Sequence, residues 1–196
     1  MRILKFLFFA ISSVILLLLI ISFFLPSKMH VERLIKINAP AGVIFEQVNN
    51  LKNWEKWSPW LKLDSTLQLT YEGPESGVGA IYKWTGNDRK TGSGKLTISA
   101  SKPGELILTD FDFGEGNSAA GGFRFETTGG STLVTWFLDS EMGFNPVMRY
   151  MGMMMKSVME GVFDRGLNDI KKIAENLPPP AAEPVMTADS ALVNNP

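Results

Sequence analysis

The chain has 196 residues, 45% of them hydrophobic, with no cysteine and a single histidine, His30, which excludes disulfides, thiol nucleophiles and metal sites built from thiolates or histidine clusters. With 19 lysine and arginine residues and 20 aspartate and glutamate residues, the net charge is −1. The sequence contains no basic block of the kind that nucleic-acid binding requires. We therefore expect no cofactor and no nucleic-acid partner.

An apolar segment begins the chain, because Phe6 to Leu25 is interrupted only by three serines. At about 1.5 Å per residue, a helix of this length crosses the hydrocarbon core of a bilayer, which is roughly 30 Å thick. A cleaved signal peptide, the competing interpretation, has an apolar region of about 7–15 residues followed by a small-residue cleavage site. No such site follows the run. The pattern predicts an uncleaved single-pass membrane anchor with its linker, over residues 1–28.

Basic residues on either side of the anchor indicate its orientation. Arg2, Lys5 and the amino terminus precede the span, and the positive-inside rule places them in the cytoplasm. Lys28, Arg33 and Lys36 follow the span closely and reduce the asymmetry. We expect the rest of the chain to lie on the extracytoplasmic side of the membrane.

Three short elements are predicted after the linker. Alternating residues over 31–37 predict a strand, although Arg33 interrupts its apolar face. Apolar residues at helical spacing predict a short helix over 41–49 and a second one over 51–57, which Pro59 ends.

Six strands separated by turn residues are predicted next. Alternating apolar residues place them at 67–71, 80–84, 94–100, 106–113, 122–127 and 132–138. The gaps are too short for the helical crossovers of a parallel sheet, so we expect an antiparallel meander.

A long helix ends the patterned part of the chain. Apolar residues near helical spacing predict it over 146–177. Gly152, Gly161 and Gly166 interrupt it, at about 1 kcal/mol each relative to alanine, which suggests a packing role or a slight bend. Prolines end the helix, and residues 178–196 lack periodicity and are expected to form a disordered tail.

The order of these elements and four segments resemble the SRPBCC superfamily, also called START-like or Bet v 1-like. Residues 35–40, with Val43 and Phe45, look like its opening strand and helix start. Residues 54–60 resemble the tryptophan-rich segment of its polyketide cyclase/dehydrase-like branch, 132–136 its last strand, and 161–171 its closing helix. The likeness covers about residues 30 to 177 and includes no catalytic signature.

This resemblance implies an α+β helix-grip fold, in which a curved antiparallel sheet wraps around the long C-terminal helix with an apolar cavity between them. Members bind lipids, sterols, polyketides or other hydrophobic molecules, and some are enzymes, so the fold alone does not choose the function. We expect a membrane-tethered START-like domain over 29–177 that binds a hydrophobic small molecule or lipid. A cyclase/dehydratase-like enzyme and a ligand-free interaction module remain as alternatives.

Large apolar side chains on the strands and on the long helix are the candidate cavity lining. Six of the ten methionines lie within 148–159, and methionine suits either an irregular core or a surface that adapts to apolar ligands. The predicted lining consists of Trp84, Phe111, Phe123, Phe125, Phe137, Met151, Met154, Met155 and Val158. The tryptophans over 54–60 are expected to pack the short helices onto the sheet, with a cavity mouth or the membrane interface as the alternatives.

No catalytic residue is predicted. His30 lies where the anchor meets the first strand, which indicates an exposed position rather than a general base. Asp110 and Asp112 share one face of a strand and would act as acid or base only if they pointed inward, for which Phe111 and Phe113 are the better candidates. The phenols available to an enzyme are those of Tyr71, Tyr82 and Tyr150.

Overall fold

A computed structural model describes residues 2–64, 66–86, 91–114 and 116–178, so the predicted tail beyond 178 lies outside the described residues. The helices in this part are α1 (Arg2–Phe24), α2 (Ala41–Asn49), α3 (Trp54–Trp57), α4 (Pro59–Leu63) and α5 (Pro146–Asn176), with a 3-10 helix at Leu51–Asn53. The strands are β1 (Lys28–Ile37), β2 (Gln68–Glu72), β3 (Ile81–Thr85), β4 (Ser93–Lys102), β5 (Leu106–Asp112), β6 (Ser118–Thr128) and β7 (Ser131–Glu141).

The strands form one antiparallel sheet in the order β1-β7-β6-β5-β4-β3-β2. Strands β2 to β7 are neighbours in chain order, as short turns require, and β1 pairs with β7 along its whole length. Helix α5 packs along β1 and runs in the same direction, with Asp164 beside Arg33 and Glu175 beside Asn38. The predicted helix-grip fold is confirmed.

Helix α5 packs on the inner face of the sheet through stacked aromatic rings. The ring of Phe163 on α5 lies parallel to that of Trp136 on β7, with 4.0 Å between centroids and 3° between planes. Phe123 on β6 also stacks on Trp136, with 4.9 Å between centroids. Burial of rings of this size dominates core energetics, so this stack fixes the position of the helix on the sheet.

Arg33, which interrupts the apolar face of β1, has a partner on α5. Its Nε and Nη2 atoms donate to the two carboxylate oxygens of Asp164 at 2.8 and 2.7 Å. This fork-to-fork geometry also raises the pKa of Arg33, chiefly through the hydrogen bond to Asp164. Arg33 therefore helps to fix the position of α5 along β1.

The tryptophan-rich segment differs from the single helix predicted over 51–57. The described chain forms a 3-10 turn, α3 and then α4, whose first residue is Pro59. Proline is tolerated in the first turn of a helix, because its missing N–H has no intrahelical partner there, so Pro59 begins α4 as well as ending α3. The indoles of Trp54 and Trp57 donate to the carbonyls of Val48 and Gln47, which attaches α3 to α2.

Two of the three glycines within α5 have a packing role. A Cβ at Gly166 would lie 2.6 Å from a ring carbon of Trp136 and 3.2 Å from Pro59. A Cβ at Gly152 would lie 2.8 Å from the sulfur of Met142, whereas a Cβ at Gly161 would have no neighbouring atom of the described residues within 4 Å. Gly166 thus lets the helix approach the sheet and α4 closely, and Gly161 has no such role.

The glycines supply a matched pair of stability variants. Gly166→Ala is expected to destabilise the protein by about 1–3 kcal/mol, since the methyl group overpacks Trp136 and Pro59. Gly161→Ala is expected to stabilise it by up to about 1 kcal/mol through helix propensity. Urea unfolding of the full chain in mild detergent, followed by tryptophan fluorescence, measures both. Equal effects of the two substitutions would contradict the packing role of Gly166.

Candidate functional site

A cavity of about 370 Å³ lies between the sheet, the tryptophan-rich segment and α5. Its volume falls in the range of small-molecule sites in proteins, roughly 300–1,000 Å³. The lining consists of Met29, Trp54, Trp60, Leu67, Tyr82, Trp84, Thr91, Leu96, Phe111, Phe113, Ala119, Trp136, Leu138, Ser140, Met142, Met155, Met159 and Phe163. Among the described lining residues, only Tyr82, Thr91 and Ser140 bring polar side-chain groups other than indole nitrogens.

One row of cross-strand partners across the sheet forms the floor of the cavity. Each residue in the row is directly paired with the next one on the neighbouring strand, from β1 at one edge of the sheet to β2 at the other. The row reads Met29, Ser140, Ala119, Phe111, Leu96, Tyr82 and Tyr71, and every member except Tyr71 lines the cavity. Because directly paired residues point to the same face of a sheet, their side chains converge on one space.

A gradient in side-chain size along β6 explains why the cavity is at this end of the domain. Inward-facing residues alternate along the strand, so Ala119 and Gly121 share a face with Phe123 and Phe125. Phe123 is fully buried among Trp54, Trp57 and Trp136, and Phe125 packs edge-to-face on Phe45. Large rings fill one end of the interior, and the small side chains leave space at the other.

The predicted lining residues divide into three groups. Trp84, Phe111 and Met155 line the cavity. Phe123 and Phe125 face inward but belong to the filled end of the core.

The remaining four lie elsewhere. Phe137 points to the outer face of the sheet, where the guanidinium carbon of Arg124 lies 4.1 Å above its ring. Met151, Met154 and Val158 are exposed on the side of α5 that faces away from the sheet. Apolar residues recur on both faces of this part of α5, so helical periodicity alone did not distinguish the buried face from the exposed one.

Several lining residues were missed by the sequence analysis, although strand alternation indicates some of them. Leu138 and Ser140 share the inward face of β7 with Trp136, and Tyr82 is the partner of Leu96. Met29 and Met142 lie just outside the predicted strand limits, because β1 begins three residues earlier and β7 ends three residues later than expected.

Tyr82 is the only titratable side chain among the described residues that line the cavity. Burial raises its pKa from 10.0 to about 12, with the nearby Glu55 as the smaller cause. The ring of Tyr71 stacks on it at 6.2 Å, and the Tyr71 hydroxyl donates to a carboxylate oxygen of Glu55 at 2.6 Å. Burial, and then this hydrogen bond, also raise the pKa of Tyr71. The Tyr82 phenol is therefore neutral at physiological pH and can donate a hydrogen bond within a predominantly apolar site.

The other polar candidates lie outside the cavity. Asp110 and Asp112 are exposed, and Asp112 lies 3.5 Å from Lys95. A hydrogen bond from the Gly114 N–H lowers the pKa of Asp112. His30 is exposed beside Asp139 at 2.7 Å, and Tyr150 donates to a carbonyl of α1. Among the described residues, no group of three His, Asp or Glu side chains is arranged to hold a metal ion.

Comparison with known proteins agrees with this architecture. The family model described as polyketide cyclase / dehydrase and lipid transport matches residues 28–175. No match was found among curated protein sequences.

Solved structures with the same fold have low sequence identity to the chain. Truncated norcoclaurine synthase from Thalictrum flavum superposes with a TM-score of 0.61 at 15% identity, covering 77% of this chain and 96% of that one. The Zhui aromatase/cyclase from Streptomyces sp. R1128 gives 0.55 at 16% identity, covering 76% and 94%. Ara h 8.0201 gives 0.52 at 16% identity, covering 75% and 97%. These likenesses concern the fold.

The raised pKa of Tyr82 predicts a loss of stability in alkaline solution. The unfolded phenol ionises near pH 10.0 and the folded one near 12, so this contribution is complete below pH 10 and disappears as the pH rises to 12. Between pH 8 and pH 11.5, the free energy of unfolding of Tyr82→Phe is expected to fall by roughly 2 kcal/mol less than that of the wild type. Urea unfolding at both values measures the difference. Equal losses in the two proteins would show that the buried phenol has no such effect.

Proposed function

The chain belongs to the polyketide cyclase / dehydrase and lipid transport family, and we propose that it binds a hydrophobic small molecule or lipid in the cavity between the sheet and α5. In this proposal α1 holds the domain at a membrane. Members of this family described by that name act on or carry hydrophobic molecules, and the walls of this cavity have matching chemistry.

The observation that carries the proposal is the composition of the cavity walls. Aromatic rings, methionines and leucines form most of the lining, and the described lining residues include no charged side chain. Removing an apolar ligand from water contributes about 25 cal/mol per Å² of buried surface. The few polar groups, those of Tyr82, Thr91 and Ser140, would then orient the ligand rather than bind it strongly.

We propose that the chain has three parts. Residues 1–28 are the anchor and its linker, 29–177 the binding domain and 178–196 a tail. Support comes from α1, which is long and apolar enough to cross a membrane, a property that a signal sequence shares, and from the family match over 28–175. The side of the membrane that carries the domain is proposed, from Arg2 and Lys5, to be the extracytoplasmic one.

A cyclase- or dehydratase-like activity is the second candidate, and Tyr82 favours it. A neutral phenol in an apolar cavity is suited to donate a hydrogen bond to a carbonyl or developing oxyanion of a bound substrate. The cavity contains no described carboxylate or histidine beside it, so a proton-abstracting partner would have to come from the substrate or solvent. An open cavity supports both candidates over a ligand-free interaction module.

Two neighbouring alanines on β6 provide a test of ligand binding. Ala119 is buried and lines the cavity, whereas Ala120 is the next residue and is exposed on the outer face. Ala119→Phe is expected to fill the cavity and to reduce bound hydrophobic ligand at least roughly ten-fold, because the ring takes the volume that the ligand needs. Ala120→Phe is expected to bind as the wild type does.

The measurement is native mass spectrometry of the full chain released from detergent, with organic extraction of the copurifying molecules. A defined mass present in wild type and Ala120→Phe, and lost in Ala119→Phe, is the expected result. An apo wild-type mass that stays unchanged after incubation with membrane lipid extract would contradict lipid binding. Once a ligand is identified, Tyr82→Phe separates the two candidates, since an enzyme loses turnover while retaining the ligand.

A further inference from the structure

The end of α1 is fixed to the start of α5 by a buried arginine. The Nη1 atom of Arg149 donates to the carbonyls of Ser22, Phe23 and Leu25 at 3.0, 3.4 and 3.3 Å, and its Nε donates to the carbonyl of Gly143 at 2.9 Å. The last carbonyls of a helix lack intrahelical partners and form the negative end of its dipole, so a buried cation is a favourable cap. This joint orients the domain relative to α1.

Tyr150 extends the same joint further along α1. Its hydroxyl donates to the carbonyl of Leu18 at 2.8 Å. Leu18 lies six residues before Phe24, the last residue of α1, which corresponds to about 9 Å along the helix axis. The start of α5 therefore contacts the last two turns of α1 through Arg149 and Tyr150, and a bilayer that contains all of α1 reaches these contacts as well.

An apolar stripe runs along the exposed side of α5 from this point. Val147, Met151, Met154 and Val158 are spaced by four, three and four residues, which places them on one helix face. They are 63%, 49%, 72% and 59% exposed, and Phe144, just before the helix, is 90% exposed. No element of the described chain covers this face. An exposed apolar face of this size is unusual on a helix that has only water beside it, and such faces mark contacts with a membrane or a partner.

The charges around the stripe fit a membrane surface. No aspartate or glutamate occurs from Met142 to Met159, and the two charged residues in this segment are Arg149, which is buried against α1, and Lys156, which is exposed. Interfacial helices have this composition, with an apolar face in the headgroup and acyl boundary and basic residues on the polar side.

The cavity is at the same end of the domain as the stripe. The row that forms its floor begins at Met29, which is only four residues after Leu25. Phe113 and Met142 directly follow the last residues of β5 and β7, so they lie at the same end of the sheet. Phe113 and Met155 are among the lining residues and are also substantially exposed, so they mark the mouth. Met155 follows Met154 directly and lies one turn after Met151, which joins the stripe to the mouth.

We propose that the stripe of Val147, Met151, Met154 and Val158, together with Phe144, lies in the headgroup and acyl boundary of the membrane that α1 spans, so that the cavity opens on the bilayer. A ligand dissolved in the membrane then enters through methionine side chains without crossing water. This inference rests on the proposed membrane anchor, and it adds the surface by which the domain itself contacts the lipid.

The absence of cysteine from the chain allows a direct test by site-specific labelling. Single cysteines at Val147 and Met151 report on the stripe, and Val14 in the middle of α1 reports on the anchor. Leu34 and Val78 serve as controls, because they are apolar, 60% and 59% exposed, and lie at the far end of the sheet. Each full-length variant is labelled with a nitrobenzoxadiazole fluorophore and reconstituted into vesicles of phosphatidylethanolamine and phosphatidylglycerol.

Quenching by lipids with a nitroxide near the headgroup measures contact with the interface. Labels at 147 and 151 are expected to lose roughly half of their emission, as for groups about 5–10 Å deep, whereas labels at 34 and 78 keep theirs. The label at 14 is expected to be quenched by lipids with a deep nitroxide.

The outcomes separate this inference from the anchor on which it rests. Quenching at 14 without quenching at 147 and 151 overturns the inference and leaves the anchor intact. Labels at 147 and 151 that shift to the blue but are not quenched show that protein, such as a second copy of the chain, covers the stripe, which also overturns it. No quenching at 14 removes the anchor, and the inference with it.

Discussion

Packing of α5 against the inner face of the sheet is the constraint on which the remaining features depend. The stack of Phe163, Trp136 and Phe123 fixes where the helix crosses the strands, and Gly166 permits the close approach that this stack needs. The fork between Arg33 and Asp164 sets the position of the helix along β1. With the helix held at this depth, the space beneath its first half depends only on the size of the facing side chains.

The cavity follows from that arrangement and requires no special structural device. Inward positions at one end of β6 and β7 carry Ala119, Gly121 and Ser140, whereas inward positions further along these strands carry the large rings of Phe123, Phe125 and Trp136. A rigid helix cannot move closer at one end without disturbing the aromatic stack at the other, since protein interiors are close-packed. The empty volume is therefore maintained by the filled part of the core.

The same helix connects the cavity to α1. Its first turn caps the carbonyls at the end of α1 through Arg149, its exposed side carries the apolar stripe, and Met155 reaches the cavity mouth. Binding site, proposed membrane contact and proposed anchor are thus arranged within about three turns of one element. In this arrangement a hydrophobic ligand has a continuous apolar route between bilayer and cavity, with the neutral phenol of Tyr82 as the only titratable group that the described lining presents.

Much of the fold was predictable from the sequence, because alternation, helical spacing and turn residues are local properties of the chain. They indicated every strand, the long helix and the apolar span, and the tryptophan-rich segment and closing helix carried the family resemblance. The site was less predictable. Whether Met151 or Met155 faces the interior, whether Phe123 lines a cavity or fills a core, and whether Arg149 is exposed or caps α1 depend on which elements meet. Those contacts join different elements of the chain, 127 positions apart in the case of Arg149 and Ser22. Only the tertiary structure decided them, since local patterns contain no information about the distance between the helix and the sheet.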